Sequence, residues 1–195
     1  MENSSKTFVV VGLIVLAVVI ALVALFNTNP SGAAREAGGV GADLIGAPLP
    51  SVTLYDKDGK AYPMESLAGK NVVLFFNEGL MCYPACWDQM TAFGADPRFN
   101  SDETVALSVV VDSPADWQQA IAKMPELSKA ATLFDQGAAV SRQLGVLSYG
   151  SSMHAGQLPG HTYVLLDKAG IVREVFDDPN MGVNNDAIMQ KISAF

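Results

Sequence analysis

The sequence predicts an α/β fold in which a mixed central sheet carries helices on both faces. Two continuous apolar runs, residues 71–76 (NVVLFF) and 104–111 (TVALSVVV), have the composition of strands buried on both sides. Hairpin patterns stand at both ends of the folded part, and helical patterns lie between the strands. In open sheets of this kind, chemistry collects beyond the carboxyl ends of central strands. The segment that follows Phe76 is therefore the place to look for function.

The elements follow in order. Ser51–Tyr55 and Lys60–Tyr62 flank Asp56-Lys57-Asp58-Gly59, a hairpin signal with Gly59 suited to a positive φ. After the second apolar run, Ser113 can cap a helix, Pro114 fits its first turn, and Asp116 favours the positive end of its dipole. Trp117, Ile121 and Met124 recur at helical spacing and form its expected buried stripe. A short strand is expected at Thr132–Phe134, and a helix over Gly137–Leu144 closed by Gly145. His161–Leu166 and Ile171–Phe176 form a last hairpin around Lys168-Ala169-Gly170. Asn185 can cap a terminal helix with Ile188, Ile192 and Phe195 on its apolar face.

Ahead of this domain lies a different kind of sequence. Residues 1–7 (MENSSKT) form a short tail. Residues 8–26 (FVVVGLIVLAVVIALVALF) are nineteen residues without a charge. At about 1.5 Å per residue, such a helix just crosses a hydrocarbon core of roughly 30 Å. The run exceeds the usual length of a signal-peptide core, so it is read as an uncleaved single-pass anchor in the lipid bilayer. The short tail suits an orientation with the C-terminal domain outside the cytoplasm, at the cell membrane, where disulfides persist. Residues 27–46 are rich in Gly, Ala and Ser and read as a flexible linker, leaving 47–195 as the folded domain.

Composition narrows the function. The chain has 195 residues and a net charge of −8, with no cluster of Lys or Arg. Phosphate binding relies on such clusters, so nucleic acid is excluded as a partner. Two cysteines are too few for a disulfide-dense scaffold or a four-thiolate zinc site.

Both cysteines fall in the segment after Phe76, Asn77-Glu78-Gly79-Leu80-Met81-Cys82-Tyr83-Pro84-Ala85-Cys86-Trp87. Pro84 is placed as the first residue of a helix, and the residue before a proline is extended, so Tyr83 ends the loop. Cys82 then sits just ahead of the helix and Cys86 in its first turn. Unpaired N–H groups and the helix dipole favour a thiolate there, the species that attacks disulfides and peroxides. Positions i and i+4 around a helix start lie roughly 6 Å apart, within disulfide reach. A redox-active pair, a pair of metal ligands and a structural staple all fit this spacing. A strand–helix junction is expected to leave the sulfurs accessible. His161 is the candidate thiolate stabiliser, proton shuttle or ligand. His154 is expected on a mobile surface loop, Glu78 assists proton transfer if buried near the thiols, and Trp87 shapes the pocket by packing.

Residues 47–73 (APLPSVTLYDKDGKAYPMESLAGKNVV) resemble the opening of the thioredoxin-fold redoxins. These include peroxiredoxins of the alkyl hydroperoxide reductase/thiol-specific antioxidant type and membrane-anchored TlpA-like proteins. Residues 133–146 (LFDQGAAVSRQLGV) and 162–175 (TYVLLDKAGIVREV) extend the resemblance over the folded part. It implies a thioredoxin-like fold and a thiol-based oxidoreductase with antioxidant activity, served by a thiol reductant or a protein disulfide partner and needing no bound cofactor. Tyr83-Pro84-Ala85-Cys86 is similar to the T-P-x-C of peroxiredoxins, which implies that Cys86 attacks peroxide. Tyr83 stands where that family has threonine, and the family's arginine maps near His161. The thioredoxin analogy instead makes Cys82 the exposed nucleophile, and places a cis-proline near His161, with Pro159 close by. The Cys-x-x-x-Cys spacing resembles that of the Sco copper chaperones, which implies copper held by Cys82, Cys86 and His161, with Met81 and Met153 as further soft donors.

Overall fold

The computed structural model describes residues 40–195. The apolar segment 8–26 lies outside the described residues, as does most of the linker. Among the described residues no helix is long and apolar enough to cross a membrane.

Seven strands form one sheet in the order β2-β1-β5-β4-β3-β6-β7. They are β1 (Thr53–Tyr55), β2 (Ala61–Pro63), β3 (Asn71–Phe76), β4 (Thr104–Val110), β5 (Thr132–Phe134), β6 (Thr162–Leu166) and β7 (Val172–Asp177). The parallel block β3–β4–β5 has antiparallel strands on both flanks: β6 and β7 beyond β3, β1 and β2 beyond β5. Among the described residues, four α-helices follow the expected alternation: α1 (Ala85–Ala95), α2 (Pro114–Lys123), α3 (Ala139–Gln143) and α4 (Asn185–Ile192).

The period-2 geometry of β3 divides the core. Val73 and Phe75 face one side, where they meet Trp87, Met90 and Phe93 of α1, Trp117 of α2, and Ile188 and Ile192 of α4. Val72, Leu74 and Phe76 face the other, with Val140 of α3 and with Leu54, Met64 and Leu67. A strand buried on both faces needs an unbroken apolar run, which NVVLFF supplies. The helix after β4 starts as expected, with Ser113 Oγ accepting from Asp116 N at 3.1 Å and Pro114 in the first turn. Of its stripe, Trp117 is buried, while Ile121 and Met124 are partly buried and Met124 lies just past the helix end.

Four local expectations are corrected. Val40–Leu44, assigned to the linker, form a 3₁₀ turn, and Gly46 N donates to Val172 O at 2.8 Å, so ordered structure reaches back before residue 47. Gly137 and Ala138 both have positive φ, so α3 starts at Ala139. Its first turn is capped from a distance by the buried Asp135 carboxylate, which accepts from Val140 N, Ser141 N and Ser141 Oγ. The residue preceding α4 is Asn184, not Asn185. Asn185 instead ties α4 to α1, accepting from Gln89 Nε2 at 2.9 Å and donating to Ala92 O at 3.1 Å. Phe195 is exposed rather than part of the apolar face, because the helix ends at Ile192.

Candidate active site

The chain leaves β3 at Phe76 and turns sharply. Asn77 Oδ1 accepts from Gly79 N at 2.9 Å, and Gly79 takes a left-handed φ of +57°. Leu80 N donates to Asp112 Oδ2 at 3.1 Å, Trp87 Nε1 donates to Gly79 O at 3.0 Å, and Met81 N donates to Glu78 O at 3.1 Å. The result is a 3₁₀ turn over Gly79–Cys82, then an extended Tyr83 and a cis Tyr83–Pro84 peptide. Pro84 is the cap of α1 rather than its first residue, one position earlier than expected. Cys82 therefore sits just before the helix and Cys86 in its first turn, and the two are joined as a disulfide with Cα atoms 5.4 Å apart.

The sulfurs are not accessible. Cys82 is 4% exposed and Cys86 fully buried, against the expectation of an open junction. The reason lies in the helix period: Cys86, Met90 and Phe93 fall on one face of α1, and that face packs on Phe75 and the core. The residues beside Cys82 are the exposed ones, Met81 at 56% and Tyr83 at 64%. Trp87 packs beside this turn. It is buried, with its ring edge-on to Tyr83 at 4.9 Å and to Trp117 at 6.0 Å. An open groove beside the turn is lined by Leu80, Tyr83, Trp87, Gln119, Lys123 and Met124.

His161 meets the pair from across the sheet. It directly precedes β6, which pairs with β3, so Thr162 lies opposite Phe76. Its ring is fully buried, edge-on to Phe75 at 4.6 Å, with Nδ1 3.5 Å from Cys86 Sγ. Nε2 is 2.8 Å from the Tyr163 hydroxyl and 3.2 Å from Gly182 O. Burial pushes the imidazole pKa below its ordinary value, against the opposing pull of Asp178, the Gly182 carbonyl and Asp177. Burial likewise pushes the Tyr163 hydroxyl pKa up, so it stays protonated.

Glu78 is buried. Its Oε1 accepts from Ser152 Oγ at 2.7 Å and His154 N at 3.0 Å, with His154 Nδ1 at 3.4 Å. His154 is thus packed against Glu78 rather than free on the surface. Met153 points to solvent. Among described His, Cys, Asp and Glu side chains, Cys82, Cys86 and His161 bring donor atoms within 4.8 Å of one another. Sequence reasoning missed Gln89, Tyr163, Asp178, Gly182 and Asn184, which together hold the imidazole. Their only sequence signal is Gln89, a polar residue among the apolar positions of α1; the others become partners only through the fold.

A mixed sheet with α1 at the end of β3, and a Cys-x-x-x-Cys disulfide at that helix's mouth, define a thioredoxin-fold protein with a thiol centre. Residues 45–175 match the AhpC/TSA family, and the chain belongs to that family. It is 31% identical over 139 residues to the chloroplastic peroxiredoxin Q of Triticum aestivum and 30% identical over 135 residues to that of Populus jackii. The matches cover 68% and 66% of this chain, and 58% of the length of each relative. The structure is similar to that of peroxidoxin BcpB from Mycobacterium tuberculosis, with a TM-score of 0.62 and 19% identity over 77% of this chain and 97% of that one.

Proposed function

We propose that this protein is a membrane-anchored, extracytoplasmic thiol peroxidase in which Cys82 and Cys86 cycle between dithiol and disulfide. The observation that carries the reading is the Cys82–Cys86 bond lying directly against the His161 imidazole. In the reduced state Nδ1 of His161 takes the Cys86 thiol proton. The Cys86 thiolate attacks the terminal oxygen of a hydroperoxide: an S–O bond forms, the O–O bond breaks, and the departing alkoxide takes the proton from the imidazolium. Cys86 is now a sulfenic acid. The Cys82 thiol attacks its sulfur, water leaves, and the disulfide forms. An external dithiol restores both thiols and leaves as its own disulfide. The peroxide class is supported by the likeness to peroxiredoxin Q, and the outward orientation by the apolar segment 8–26.

The test is peroxide consumption by the reduced full-length protein in detergent. Cys86→Ser is expected to abolish it. Cys82→Ser is expected to give one turnover and stop at a sulfenic acid that dimedone labels. Full consumption by Cys86→Ser would overturn the assignment. If peroxide is inert but a protein disulfide is reduced, the same pair acts as a disulfide reductase.

A second reading is favoured by one observation, the convergence of Cys82, Cys86 and His161 donor atoms. Once reduced, two thiolates and an imidazole suit monovalent copper, and the protein would then carry copper as cargo. Titration of the reduced protein with Cu(I) against a competing chelator separates the readings. Tight one-to-one binding lost in His161→Ala, together with no peroxide consumption, would favour copper delivery.

A further inference from the structure

The His161 ring has two possible neutral tautomers, and only the one with a bare Nδ1 can take a proton from Cys86. The Tyr163 hydroxyl, 2.8 Å from Nε2, does not choose between them, since it can donate or accept. The Gly182 carbonyl, 3.2 Å from Nε2, does choose, because it can only accept. With a proton on Nε2 every partner is satisfied. Nε2–H points to the carbonyl, and the Tyr163 hydroxyl donates to Gln89 Oε1 at 3.1 Å. Gln89 Oε1 is held in place by Asn184 N, a backbone donor, at 2.7 Å. With Nε2 bare, the Tyr163 hydroxyl donates to it and is lost to Gln89 Oε1, while the Gly182 carbonyl keeps only Asn184 Nδ2 at 3.1 Å as a donor and stands 3.2 Å from an unprotonated nitrogen.

The carbonyl sits there because of Asp178. Its Oδ2 accepts from Gly182 N at 2.8 Å and from Asn184 Nδ2 at 2.8 Å, and its Oδ1 accepts from Asn180 N at 2.9 Å. Its own N–H donates to His161 O at 2.9 Å, so the loop is registered to the histidine it serves. Within this loop Met181 adopts a left-handed φ of +51°, an uncommon conformation for a side chain of its size and one that tends to occur where the surroundings over-determine the backbone. Burial alone would raise the Asp178 carboxyl pKa. Hydrogen bonds from Asn184 and Gly182 outweigh that and hold it below the ordinary value, so the loop is fastened at neutral pH.

We infer that Asp178 is a positioning residue for the thiol chemistry: by folding residues 178–184 so that the Gly182 carbonyl faces Nε2, it selects the His161 tautomer whose Nδ1 receives the Cys86 proton. The inference rests on the reading of His161 as the base for Cys86. It predicts that sequence distance hides the relation: Asp178 touches neither sulfur and acts through a backbone carbonyl.

The experiment uses reduced, full-length protein in detergent micelles with ¹⁵N-labelled histidine. The chain has two histidines, so a His154→Gln control assigns the signals. Wild type is expected to show His161 as the Nε2–H tautomer; finding Nδ1–H overturns the inference without any variant. Asp178→Ala is expected to bring the Nδ1–H form to at least half. Cys86 alkylation at fixed pH should then slow at least about twofold, in line with the lost share of competent base. Asp178→Asn retains one acceptor oxygen and is expected to fall between. Far-UV circular dichroism reports that each variant is folded. An unchanged tautomer in folded Asp178→Ala and Asp178→Asn refutes the inference. An unchanged alkylation rate in His161→Ala instead refutes the role of His161, whatever the tautomer, so the two failures are told apart.

Discussion

Gly79→Ala is the substitution whose cost the geometry fixes best. Gly79 has a φ of +57°, and an added Cβ would lie 1.6 Å from Asp112 Oδ2 and 2.8 Å from Asp112 Cγ. Two penalties follow. A left-handed alanine costs about 1–2 kcal/mol. The Asp112 carboxylate must also rotate away, which breaks its hydrogen bond from Leu80 N; a bond to a charged group is worth about 1.5–3 kcal/mol. Gly170→Ala isolates the first penalty, since Gly170 has a φ of +75° and open space around the new atom. The expected losses are therefore about 3–5 kcal/mol for Gly79→Ala against about 1–2 kcal/mol for Gly170→Ala. Urea unfolding followed by fluorescence measures both, because the two tryptophans, Trp87 and Trp117, are buried. The double variant Gly79→Ala/Asp112→Ala should lose less than the sum of its parts, since the second change removes the obstacle met by the first. Equal losses for Gly79→Ala and Gly170→Ala would refute the claim that Asp112 fixes the turn carrying Cys82.

Further outcomes follow from the same geometry. The folded His161 pKa lies below the ordinary value of 6.5, so below that pH the unfolded chain binds the proton more readily than the folded one. Stability from this group is complete above pH 6.5 and declines as pH falls toward the lower folded value. A pH series of unfolding midpoints should show that decline in wild type and a shallower one in His161→Gln; identical slopes would refute it. Reducing the Cys82–Cys86 bond releases a five-residue loop, a change worth about 2 kcal/mol in the chain-entropy account; unfolding with and without dithiothreitol measures it, and a loss above twice that would mean the bond carries more than chain entropy. Asp135→Ala removes the buried acceptor of three hydrogen bonds at the start of α3 and should cost about 2–4 kcal/mol by the same unfolding assay.

Most of the fold was legible in the sequence because its signals are local. NVVLFF needs no partner to read as a doubly buried strand, and Ser113-Pro114-Ala115-Asp116 carries its own cap and first turn. The misread pieces depend on distant partners. Asp135 caps α3 across two left-handed residues, and Asn185 leaves the cap position to bind the end of α1. The site divides in the same way. Cys82, Cys86 and His161 stand out as reactive residue types, and the sheet brings them together. The holders of the imidazole are a Gln, a Tyr, an Asp, an Asn and a glycine carbonyl, groups common throughout any sequence; what marks them is their convergence around one ring. The burial of Cys86 has a local signal too, since Cys86, Met90 and Phe93 share a helix face, and that apolar period prevails over the strand–helix junction.

That burial bears on how the two sulfurs divide the proposed reaction. Cys86 is fixed on the inner face of α1, fully buried and beside the imidazole, so moving it would open the core around Trp87, Met90 and Phe93. Cys82 lies at the far end of a turn whose fastenings fall on Gly79, Leu80 and Met81, between the exposed side chains of Met81 and Tyr83. Pro84 itself belongs to the helix cap, its O accepting from Asp88 N at 2.9 Å, so Cys82 is the sulfur nearer the exposed chain. On the proposed reading, an incoming dithiol attacks Cys82, forming the mixed disulfide there and releasing Cys86 beside its base. On that reading the two ends of one bond take two tasks: the inner sulfur meets the peroxide where its proton can be taken, and the outer one exchanges electrons with the reductant.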